Sequence, residues 1–114
     1  MPYMNMKTSA DITPEKEAAL RGRFGKAISL LPGKSESWLM LAFEGGLHMA
    51  FRGQSAPDTA ALRVSLFGKA EAADCERLTR ELTAAISEEL GIQPAQIYII
   101  YEEARYWGWN GGNL

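Results

Sequence analysis

The 114-residue sequence has one cysteine, one histidine and no apolar stretch approaching the roughly 18 residues that a membrane span requires. Cys75 therefore has no partner for an internal disulfide, a CxxC redox pair or a zinc site, and a reducing compartment is the expected setting. His48 stands beside Met49 with no second histidine or cysteine at ligand spacing, so no metal centre is expected. Twelve basic residues against fourteen acidic ones leave a net charge of −2. Neither sign gathers into a run long enough for a phosphate-binding stripe, which argues against nucleic acid as a partner. The opening stretch Met1-Pro2-Tyr3-Met4-Asn5-Met6-Lys7 lacks the basic-then-apolar pattern of an export signal, so cytoplasm is the expected location, without a membrane.

With 46% hydrophobic and 23% charged residues, the chain fits a single domain across residues 1–114. A domain of this size buries only roughly 60–70% of the surface that its unfolded chain exposes, so burial between subunits would help it and oligomerisation is expected.

Alternation of Tyr3, Asn5 and Lys7 against Met4, Met6 and Thr8 predicts a first strand with one face buried. Thr13 as cap, Pro14 at the first helical position and Glu15 and Glu17 in the first turn mark a helix start. Leu20, Phe24, Ala27, Ile28 and Leu31 give that helix one apolar stripe before Pro32-Gly33 ends it. Trp38 to Phe43 reads as a strand, and Gly45-Gly46 followed by Leu47 to Phe51 suggests that it forms a hairpin with a short partner. Leu62 to Phe67 predicts another strand, Glu71 to Leu90 another helix closed by Gly91, and Ile97 to Tyr101 a further strand. Glu102, Glu103 and Arg105 are expected in a solvated charged turn. Trp107-Gly108-Trp109 is expected as a short edge strand before a loose Gly111-Gly112 tail.

A shift of 58 positions pairs Leu20 with Leu78, Phe24 with Leu82, Ala27-Ile28-Ser29 with Ala85-Ile86-Ser87 and Gly33 with Gly91. The chain therefore reads as α/β (α+β): two β-α-β repeats, about residues 2–43 and 62–101, forming a four-stranded mixed sheet with two helices on one face and short edge strands.

Pro2 is the residue with the most chemistry to offer. An initiator methionine before a small residue is normally removed, and its loss leaves a secondary amine at the start of a buried strand. An α-amino group has a pKa of roughly 7.7–8.0. Apolar burial and a nearby cation both lower it, turning the amine into a base at neutral pH. Trp38, Phe67 and Trp109 offer the first influence and Lys34 the second.

Six short motifs then occur in order along nearly the whole chain: Met1-Pro2-Tyr3-Met4, Gly33-Lys34, Met49-Ala50-Phe51 with Gly53, Gly68-Lys69, Ile97-Tyr98-Ile99 and Gly108-Trp109-Asn110. Together they resemble the macrophage migration inhibitory factor (MIF) family of the tautomerase superfamily. The resemblance implies a homotrimer with active sites at the subunit boundaries. It also implies keto–enol tautomerisation of an aromatic 2-keto acid of the phenylpyruvate type, without cofactor or metal. By the same resemblance Pro2 is the catalytic base, Lys34 the cation that holds substrate oxygen, and Tyr98 a catalytic group reaching the pocket from the adjoining subunit. Trp38, Phe67, Ile100, Trp107 and Trp109 are the implied substrate-binding positions.

Ile100 stands where relatives often have asparagine, Phe67 exceeds the usual aliphatic, Trp107 replaces a smaller apolar residue, and Leu114 stands where an aromatic is common. A tighter, more apolar pocket is expected. Pro57 to Leu62 has no counterpart of the CxxC found in some animal members, so thiol redox activity is not carried over. The alternative is a cytokine-like module whose outer surface meets a host receptor and whose pocket is vestigial. Dehalogenation or decarboxylation of a small acid ranks behind both, because no second arginine or carboxylate is evident beside Pro2.

Overall fold

The computed structural model describes residues 1–114. Its elements are β1 (Pro2–Thr8), α1 (Pro14–Ala27), β2 (Met40–Glu44), β3 (Ala60–Phe67), α2 (Ala72–Leu90), β4 (Ile97–Ala104), β5 (Gly108–Trp109) and β6 (Gly112–Asn113). Single 3₁₀ turns lie at Ile28–Leu30, Glu36–Trp38 and Pro94–Gln96. No helix is long and apolar enough to cross a membrane.

The local signals act where the sequence puts them. Thr13 Oγ1 accepts the Lys16 N–H at 3.2 Å, capping α1, and Pro14 begins the helix. Gly91 closes α2 in the left-handed region at φ 70°, with its N–H bonded to the Ser87 carbonyl at 2.9 Å.

The main sheet has the order β2-β1-β3-β4. β1 runs parallel to β2 and antiparallel to β3, and β3 runs parallel to β4. Each parallel pair is joined through a helix, as parallel neighbours require. The offset noted in the helices also governs the strands, since β3 begins 58 positions after β1 and α2 begins 58 after α1. Met4, Met6 and Thr8 of β1 and Leu62, Val64 and Leu66 of β3 are buried on the face that meets Leu20, Phe24, Ile28, Leu78, Leu82 and Ile86 of the helical layer. Fully burying each of the apolar side chains here is worth about 1.5–3 kcal/mol. The opposite sheet face carries Tyr3, Met40, Tyr98 and Ile100, and the last three are exposed.

Three sequence expectations are corrected. The expected hairpin of Leu47 to Phe51 with the preceding strand does not form: β2 pairs with β1, and Trp38 lies in a 3₁₀ turn before it. After β2 the chain folds back on the segment that follows β1. Gly46 and Leu47 donate their N–H groups to the carbonyls of Ala10 and Thr8 at 2.9 and 3.1 Å, leaving no ladder for a hairpin. Glu102 and Glu103 continue β4 rather than forming a turn, in register with Ser65 and Leu66 of β3; Arg63 adds two bonds to Glu102 of 3.2 and 2.8 Å, and Glu103 accepts the Ala70 N–H. The C-terminal tail is a second, two-stranded sheet: β5 and β6 pair across Asn110 and Gly111, both at positive φ, which is the turn such a short hairpin demands.

Candidate active site

Gly33, at φ 80°, turns the chain after α1, and the Lys34 N–H donates to the Leu31 carbonyl at 3.1 Å. This places the Lys34 side chain against the end of β3. Lys34 Nζ donates to the Phe67 carbonyl at 3.0 Å, while the Phe67 N–H donates to the Met1 carbonyl at 3.1 Å. One residue of β3 thus touches both the cation and the start of the chain.

The Met1 amino group feels this arrangement. Its pKa is lowered from that of an ordinary α-amine, first by burial, then by the Lys34 charge and the Lys34 hydrogen bond. Pro2 itself is buried.

A cavity of about 890 Å³ opens here, lined in part by Pro2, Tyr3, Trp38, Met40, Trp107 and Trp109. Trp38 and Trp109 meet edge to face, with ring centroids 5.1 Å apart and planes at 87°, so the 3₁₀ turn before β2 and the terminal hairpin share one aromatic wall. Two other clefts, of about 600 and 630 Å³, share Asp11 in their linings.

Of the residues expected at the site, the structure brings Pro2, Trp38, Trp107 and Trp109 together around the cavity. Lys34 stands beside them through Phe67. Phe67 contributes its backbone at this point, and its ring is not part of the cavity lining within one chain. Tyr98 and Ile100 lie elsewhere in the chain. Tyr98 is in register with Ala61, and Ala61 with Lys7, five residues along β1 from Pro2 or roughly 17 Å at strand rise. Sequence reasoning missed Tyr3, Met40 and Ser65, which also line the cavity. Tyr3 adjoins Pro2 in sequence, which is the signal that would have flagged it, whereas the neighbours on β2 and β3 depend on sheet register.

Cys75 is set apart from this chemistry. Burial, then Glu103 and Asp74, push its thiol pKa up, which suppresses the thiolate.

Sheet order and helix placement define the α+β tautomerase superfold, and solved relatives share it over almost their whole length. The structure of Leishmania major MIF2 is 31% identical and superposes with a TM-score of 0.92, covering 100% of this chain and 97% of that one. The macrophage migration inhibitory factor homologue of Prochlorococcus marinus is 27% identical at a TM-score of 0.85, with 97% of each chain covered. The Toxoplasma gondii macrophage migration inhibitory factor, 23% identical at a TM-score of 0.85 over 98% of this chain and 99% of that one, shares the fold. No curated protein matches by sequence. The family model of macrophage migration inhibitory factor (MIF) matches residues 1–114, and the chain belongs to that family.

Proposed function

We propose that this chain, opened at Pro2 by loss of Met1, is a keto–enol tautomerase of aromatic 2-keto acids of the phenylpyruvate type. Membership of the MIF family puts it in the tautomerase superfamily, an isomerase class. The observation that carries the finer reading is the position of the chain start beside Lys34 at a tryptophan-lined cavity, where the Met1 amino group has its pKa lowered.

The chemistry follows from those parts. Without Met1 the Pro2 nitrogen becomes a secondary amine one residue deeper, and the burial and Lys34 charge that lower the pKa of the Met1 amine would act on it in the same direction. The neutral amine takes a proton from the carbon next to the keto group. The C–H electron pair moves into the new C=C bond, and negative charge develops on the keto oxygen. Lys34 stabilises that charge, and the Phe67 N–H, released from the Met1 carbonyl, supplies a second donor nearby. The protonated Pro2 then delivers its proton to the enolate oxygen, giving the enol and restoring the amine.

Tyr98 takes part from an adjoining subunit of a homotrimer. Supporting this, β2 and β4 are both free sheet edges, and Met40, Tyr98 and Ile100 expose apolar surface on or next to them.

The test places an alanine between Met1 and Pro2. The Pro2 nitrogen then stays an amide, and phenylpyruvate tautomerisation should be lost while the far-ultraviolet circular dichroism is unchanged. Turnover equal to that of the parent would remove Pro2 from the mechanism.

A further inference from the structure

Tyr98 and Tyr101 sit on the same strand but are held in different ways. The Tyr101 hydroxyl is bonded to Thr79 and to the Cys75 carbonyl, both at 2.9 Å, which ties it to α2. Tyr98 points from a sheet edge, is 58% exposed, and is contacted through its ring: Phe51 meets it edge to face with centroids 5.2 Å apart and planes at 83°.

Phe51 is in turn fixed by an unusual piece of backbone. Its N–H donates to the Gln54 carbonyl at 2.8 Å and its carbonyl accepts the Gln54 N–H at 3.0 Å, closing a tight turn in a segment otherwise without strand structure. The two central residues, Arg52 at φ 54° and Gly53 at φ 77°, are both in the left-handed region. That conformation is costly for arginine, so the turn is held by its surroundings rather than by local preference. The Arg52 guanidinium carbon lies 5.1 Å from the centroid of the Phe51 ring and covers it.

We infer that Phe51 is a positioning residue: backed by Arg52 and the 51–54 turn, it holds the Tyr98 ring so that the hydroxyl meets substrate in the neighbouring subunit's pocket. This rests on the reading of Tyr98 as a participant in tautomerisation. An exposed tyrosine on a strand edge otherwise samples several side-chain rotamers, and each unproductive one removes its hydroxyl from the reaction.

The experiment is a double-mutant cycle with phenylpyruvate as substrate, combining Phe51→Leu and Tyr98→Phe. Tyr98→Phe should lower kcat. Phe51→Leu should lower kcat by about tenfold, of the order that one aromatic pair carries, with a smaller change in KM. Phe51→Tyr, which keeps the ring, should restore most of the loss. In the Tyr98→Phe background, Phe51→Leu should have no further effect, because no hydroxyl remains to be aimed. Additive losses, or full turnover by Phe51→Leu where Tyr98→Phe is impaired, would overturn the positioning role and leave the catalytic reading standing. Full turnover by Tyr98→Phe would remove that reading and the positioning role with it. Should Phe51→Leu not fold, the parent protein decides: NMR of its labelled tyrosines should show the Tyr98 ring protons shifted by the Phe51 ring current, and unshifted signals would overturn the inference.

Discussion

Lys34 Nζ donates to the carbonyl oxygen of Phe67 at 3.0 Å, a bond that ties the turn after α1 to the end of β3 and brings a positive charge to the start of the chain. The same residue, Phe67, holds the Met1 carbonyl through its N–H. Charge and chain start thus meet at one residue, and Lys34 acts directly on the Met1 amine, lowering its pKa; the first prediction concerns that effect.

Replacing Lys34 with glutamine should alter both the height and the position of the pH–rate profile. The ammonium form of the terminal amine is disfavoured first by burial and then by Lys34, so removing the cation raises the amine's pKa. The acid limb of kcat/KM, which rises as the amine loses its proton, should move toward higher pH. At its plateau the variant should be slower by about 10²-fold, the effect expected for loss of one preorganised donor to a developing oxyanion. An unmoved limb would mean that the Lys34 charge does not reach the base.

The Trp38–Trp109 contact predicts a binding effect. Trp109→Ala removes the ring that meets Trp38 edge to face and opens the cavity wall to water. KM for phenylpyruvate should rise about tenfold, in line with the worth of an aromatic pair, while kcat changes less. Steady-state kinetics on the refolded, correctly sized variant checks this.

Thr8 offers a stability prediction away from the site. Its fully buried hydroxyl donates to the Thr59 carbonyl at 2.7 Å and accepts the Ala10 N–H at 3.1 Å. Thr8→Val keeps the shape but strands the Ala10 N–H. The Thr59 carbonyl retains the Ser9 N–H at 3.2 Å. The expected loss is about 1–3 kcal/mol, read from denaturant unfolding at fixed protein concentration.

Two glycines should respond differently to alanine. A Cβ on Gly45 would stand 2.8 Å from Ile12 Cγ1 and 3.1 Å from the Ala10 backbone oxygen, and that backbone cannot move without disturbing the bonds at Thr8 to Leu47. Gly45→Ala should cost about 1–3 kcal/mol, as overpacking does. The atoms nearest a Cβ on Gly25 all belong to the Glu36 side chain, which is exposed and can swing away. Gly25→Ala also gains about 0.8–1.0 kcal/mol of helix propensity, so its net effect should be small. Comparing the two unfolding midpoints tests the distinction.

Periodicity made the helices and their buried stripes readable, because Leu20, Phe24 and Ile28 and their counterparts Leu78, Leu82 and Ile86 repeat at the spacing of one helix face. The segment from Gly45 to Phe51 misled, since paired glycines between apolar runs look like a hairpin whether or not the partner strand is free. Here Thr8 and Ala10 had already taken the relevant donors. The charged stretch Glu102-Glu103 also looked like a turn, but its pairing with Ser65 and Leu66 of β3, with Arg63 bonded to Glu102, keeps it extended.

The order of residues along the chain, by itself, determined one helix begun at Thr13, another ended at Gly91, and strands with one face apolar. Those properties depend on neighbours a few positions apart. Which carbonyl Lys34 binds, which tryptophan meets which, and where Phe51 rests against Tyr98 were decided by the tertiary structure. Each joins residues from different elements, whose separation is set by sheet register and packing rather than by local preference.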